Sequence, residues 1–212
     1  MADWATISAL ATAGGTLVLA GAAFGSIRSA DRAALSAERA VLASLRPLLI
    51  SSRLEAPTQK LIWMDGHWAH LPGSAGYLRI VDGGLYLAAS IRNVGPGLGV
   101  IHGWRPVEHP LTYSQESPDP ADFRPQTRDL YVAPGDTSFW HAAVRDAADP
   151  YFEEVAVAVK NRERVNIDLL YGDGEGGQRT ISRFSLIPAS KDDESWVCQV
   201  VRHWNLDRPN PR

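Results

Sequence analysis

His67 and His70 form the first pattern in the chain with ligand chemistry, an H-x-x-H that brackets Trp68. The residues around them read as a strand, and strand residues three apart face opposite sides, so the two imidazoles do not converge on one metal ion. Placed beside a tight turn, His67, Trp68 and His70 instead suit an exposed contact site. His102, His109, His141 and His203 are scattered near aromatic residues such as Trp104, Trp140 and Trp204. A catalytic triad assembles across a fold and not along a chain, but no Gly-x-Ser-x-Gly context supports one here. Gly95, Gly97 and Gly99 lack the Gly-Lys-Ser/Thr that completes a phosphate loop, and a strand follows them where a helix N-terminus would be needed. They read as a tight inter-strand turn. Asp168, Asp173 and Glu175 flank a Gly-rich hairpin and read as a solvated turn, not a calcium site. No residue is assigned to catalysis, to a cofactor or to a metal.

The elements that would carry these residues begin with a stretch free of ionisable groups, Trp4 to Ile27. As a helix it reaches roughly 36 Å, enough to cross a hydrocarbon core of about 30 Å with some tilt. Its strongly apolar members are only Ile7, Leu10, Leu17, Val18, Leu19, Phe24 and Ile27, so an isolated helix inserts marginally. Gly21 and Gly25 form a GxxxG pair that suits close pairing with a second helix, in a homo-oligomer or with a partner membrane protein. No Lys or Arg precedes Arg28, so the basic n-region of a cleaved secretory signal is missing. Burial of this stretch in a soluble self-associating protein is the remaining rival, and the absence of a polar face argues for lipid.

Arg28, Arg32, Arg39 and Arg46 follow the stretch. Counted at 100° per residue they lie within about 40° of one another, a stripe suited to anionic headgroups. The positive-inside rule then places the C-terminal body in the cytoplasm, which makes the expected location the inner membrane, single-pass. From Arg28 to Leu45 the chain is rich in Ala, Leu, Arg and Glu without Gly or Pro, so the helix continues as a stalk until Pro47 stops it. The domain plan is therefore 1–46 as span (about 4–27) and stalk, 47–204 as a β domain, and 205–212 as a polar tail.

The body is mildly acidic within a chain of net charge −3, which disfavours nucleic acid as a partner. Its one cysteine, Cys198, excludes an internal disulfide and reads as core filler in WVCQVV. Strand signals recur about every ten residues, the spacing of a sandwich or barrel. Asp65-Gly66 reads as a type I′ hairpin turn. Leu85, Leu87, Ala89 and Ile91 alternate with Tyr86, Ala88, Ser90 and Arg92, a strand with one buried face. Residues 109–126 read as a surface loop with one helical turn at Pro120 capped by Asp119. One helix stands out: Asp149 caps, Pro150 opens it, and Phe152, Val155, Ala156 and Val159 form its apolar stripe. Trp63, Trp104, Trp140, Trp196 and Trp204 read as core or sheet-face residues, and Trp4 as an interfacial anchor.

Taken in order, RPLLI after the helix, SIRNVGPGLGV, VAPGD and the late IDLLYGDGEGGQRTISRF resemble a set of uncharacterised bacterial single-span proteins that carry an immunoglobulin-like β-sandwich. The chain departs from their pattern at Gly99 and adds the Pro150 helix. The resemblance implies a mainly β fold behind a membrane helix, with no activity to transfer. The reading is a membrane-anchored, non-enzymatic binding or scaffolding module; the alternative is a membrane-tethered hydrolase whose residues converge from separate loops.

Overall fold

The computed structural model describes residues 3–107, 116–190 and 194–210, with the backbone alone at 5–7, 9–11, 17 and 18. The chain divides into two compact units, residues 1–44 and 45–212. The first unit is helix α1, Trp4–Leu45, unbroken over 42 residues. Its end follows from Pro47, which pushes the preceding Arg46 out of helical geometry. The helix thus runs unbroken through both stretches that the sequence divides into span and stalk.

The second unit is mainly β. Nine strands form one antiparallel sheet: β1 Leu49–Ser51, β4 Ala75–Val81, β5 Gly84–Asn93, β6 Gly99–Pro106, β7 Arg124–Val132, β8 Thr137–Val144, β9 Val165–Gly172, β10 Arg179–Pro188 and β11 Trp196–Asn205. Pairing runs β7-β6-β9-β10-β11-β4-β5-β8, with β1 continuing along β5 where β4 ends. The sheet curls until its edges come together, and Gln126 of β7 bonds both β8 neighbours: its Nε2 donates to His141 O at 3.0 Å and its Oε1 accepts from Trp140 Nε1 at 3.2 Å. One continuous sheet path replaces the two facing sheets of a sandwich, so the immunoglobulin-like arrangement is not confirmed. Right-handed twist accumulated over eight neighbouring strands is what brings the edges round.

Inside the curl lie Leu85, Leu87, Ala89, Ile91, Trp104, Trp140, Tyr171, Phe184 and Cys198 among others. Helix α2, Pro150–Lys160, closes the core with Val155 and Ala156, capped by Asp149, whose carboxylate accepts from Tyr151 N at 3.0 Å. A single 3-10 turn, Pro120–Asp122, carries the expected Asp119 cap.

β5 is buried on both faces, not one. Its inner set packs in the main core, while Tyr86 and Ala88 on the outer face join a second cluster with Leu61, Trp63, Ala69 and Leu71. The cover is a separate hairpin, β2 Gln59–Ile62 and β3 Trp68–Leu71, laid over the sheet. Its turn differs from the expected type I′, because only Gly66 has positive φ (84°) and Gly66 N bonds Trp63 O at 3.0 Å. That is a type I turn followed by a left-handed glycine, a longer loop that sets Trp63 N against His67 O at 2.8 Å. The I′ geometry occurs instead at Asp82-Gly83, with φ of 49° and 78°, between β4 and β5.

Candidate functional site

Helix α1 carries apolar side chains with no core of its own. Trp4, Leu19, Phe24, Ile27, Leu35, Val41 and Leu42 are all exposed, Leu19 at 70%. The hydroxyls of Thr12, Thr16 and Ser26 turn back onto the carbonyls of Ser8, Thr12 and Ala22 at 2.8–2.9 Å, so the helix satisfies part of its own polarity. A Cβ added at Gly21 or Gly25 would meet nothing within 4 Å, which leaves the GxxxG row bare. Among the described residues no helix is long and apolar enough to cross a membrane. The Arg28 guanidinium lies 4.7 Å from the Phe24 ring centroid. Arg46 leaves the arginine stripe: it lies beyond the helix and pairs with Asp207 and with Asn205 Oδ1 at 3.2 Å.

Behind the helix, the motifs of the chain converge on the segment Arg46–Leu49. Asn93 is fully buried and uses both ends of its amide: Oδ1 accepts from Leu48 N at 3.1 Å and Gly95 N at 3.0 Å, and Nδ2 donates to Gly97 O at 2.7 Å and Val132 O at 2.9 Å. Gly135 N of the Ala133-Pro134-Gly135-Asp136 turn donates to Asn93 O at 2.9 Å. Any Cβ at Gly95 or Gly97 would collide with backbone of Leu45, Arg46 or Pro47. These glycines therefore serve close backbone approach and cradle no phosphate. Tyr171 OH accepts from Leu49 N at 3.2 Å and meets Ser182 Oγ at 2.8 Å, which in turn meets His203 Nδ1 at 2.6 Å. Burial pushes the Tyr171 phenol up to about 12 and the His203 imidazole down. Ser182 is fully enclosed, so this Ser-His pair presents no hydroxyl to a substrate.

The predicted contact trio divides. Trp68 and His70 share the outer face of β3, ring centroids 5.3 Å apart, with Lys60 Nζ 5.2 Å from the Trp68 ring centroid. His67 turns inward, 4.2 Å from the Tyr86 ring centroid, with Nε2 2.9 Å from Tyr77 OH. The hairpin is fastened by Asp65, which accepts from Tyr86 OH at 2.6 Å and Arg145 Nε at 2.8 Å. The Arg145 guanidinium, followed by the Tyr86 hydroxyl, holds that carboxyl well below the usual carboxylate range.

A pocket of about 160 Å³ lies where the hairpin meets the joined edges of β7 and β8. Ile62, Trp63, Met64 and Trp104 supply apolar lining; Arg124, Arg128, Arg145 and His141 supply polar lining. Trp63 is fixed by its Nε1, which donates to Ala142 O at 2.9 Å. Desolvation, then the nearby Arg128 charge, pushes His141 down to about 4, so its ring is neutral near pH 7. Its Nδ1 has no hydrogen-bond partner among the described residues. Sequence spacing did not reveal this pocket, because its walls come from residues 62–64, 104, 124–128 and 141–145, brought together only by closure of the sheet. The one available signal was the excess of tryptophan.

His109 lies outside the described residues. Among the described residues no group of three or more His, Cys, Asp or Glu side chains is placed to hold a metal ion. Comparison with known protein families, with curated proteins and with solved structures finds no match to this chain.

Proposed function

We propose that the chain is a non-enzymatic binding or scaffolding module held at a lipid bilayer by α1. The observation that carries this reading is the row of exposed apolar side chains on a 42-residue helix that forms a unit of its own. A helix gains most of its stability from burying an apolar face, so one whose described apolar side chains find no core in their own unit needs lipid or a second helix. Residues 4–27 are the lipid-embedded segment, and the bare Gly21/Gly25 row lets a second copy pack closely there. Arg28, directly after this segment, then lies at the headgroups of the inner membrane, and the basic excess continued by Arg32 and Arg39 puts the β body on the cytoplasmic side.

Flotation of the full-length chain with phosphatidylcholine/phosphatidylglycerol liposomes tests it. The wild type is expected to float, and the Leu19→Glu/Phe24→Glu variant to lose more than about a hundredfold in partitioning, since each buried charge costs roughly 2.5–3.5 kcal/mol. A wild type left at the bottom of the gradient, or a variant that floats equally, overturns the proposal.

A further inference from the structure

We propose that the pocket between the hairpin and the β7/β8 seam binds a small organic monoanion, a monocyclic aromatic carboxylate of about benzoate size. This goes beyond the membrane reading and does not depend on what α1 attaches to. Its volume of about 160 Å³ is close to the ~150 Å³ of an apolar cavity that holds one benzene ring. A nucleotide is too large for it, and a bare inorganic anion would leave the exposed apolar lining, Ile62 and Met64, uncovered.

Charge selects the other end of the ligand. No Asp or Glu lines the pocket, whereas three arginines do. Two of them are already committed. Arg124 grips Asp149 with both terminal nitrogens at 2.5 and 2.6 Å, and Arg145 is held by Asp65. Arg128 is exposed and makes no ion pair among the described residues, so its guanidinium is the one left to receive a carboxylate. Ring against Ile62 and Met64, carboxylate on Arg128, is the arrangement these walls satisfy.

The experiment is ligand-observed saturation-transfer NMR on the full-length chain in detergent micelles, with benzoate, benzyl alcohol and inorganic phosphate as probes. Benzoate is expected to bind saturably with a Kd near about 1 mM, the affinity an efficient ligand of this size reaches. Benzyl alcohol, which has the ring without the charge, should bind about tenfold more weakly, and phosphate should not displace benzoate at equal concentration. Arg128→Ala, at an exposed position, should weaken benzoate about tenfold while leaving benzyl alcohol unchanged. The absence of saturable benzoate binding overturns the proposal, as does equal competition by phosphate or an unchanged benzoate affinity in the variant.

Discussion

His141 sits in an environment that disfavours its charged form: an imidazole 6% exposed, against Trp63 and Phe139, with Arg128 nearby. Burial keeps the folded ring neutral down to about pH 4, while an unperturbed ring takes up its proton near 6.5. Between those values the unfolded state binds the extra proton, so stability falls as the pH drops through this window, by at most about 1.4 kcal/mol per pH unit from this one group. Below the folded pKa the penalty stops growing. Urea melts of the full-length chain from pH 7 to pH 4 should therefore show a shallower decline for His141→Leu than for the wild type. Parallel declines would mean that the ring titrates normally. Nothing in the residues around His141 announces this, since His-Ala-Ala in a strand is unremarkable until β7 and the hairpin close over it.

At the scale of elements, what the chain spells out locally it also builds locally. The Asp149-Pro150 start, the Asp119 cap and the alternation in β5 all appear as the side-chain pattern requires. Apart from the type of the Asp65-Gly66 turn, the misreadings concern long-range partners. β5 looked half-exposed because its outer cover, Leu61, Trp63 and Leu71, sits on a hairpin whose docking no periodicity encodes. The glycines at 95 and 97 looked like turn residues, yet their deeper reason is the backbone of Leu45–Leu48 passing against them. Asn93 makes this junction testable. Asn93→Ala would strip Leu48 N, Gly95 N, Gly97 O and Val132 O of a shared partner and should cost about 2–4 kcal/mol in urea unfolding. A loss below about 0.5 kcal/mol, the range of an ordinary surface change, would show that the clamp is not structural.

For the whole molecule, the two units follow different rules. The β body buries five of its six tryptophans, its cysteine and a fully enclosed Asp168 ion-paired to Arg105 and Arg183, and needs no outside surface to complete its core. In the helix unit the described large apolar side chains are exposed along its length. The contrast leaves α1 as the part of the chain that requires a partner, and lipid is the partner its uncharged first half and its arginines at 28, 32 and 39 suit. Fractionation of cells expressing the full-length chain tests this most directly. If the account holds, the protein sediments with membranes, stays there through high salt and alkaline carbonate, and is released only by detergent. A protein that remains in the supernatant without detergent, as a monomer or as an oligomer of its own helices, would contradict it.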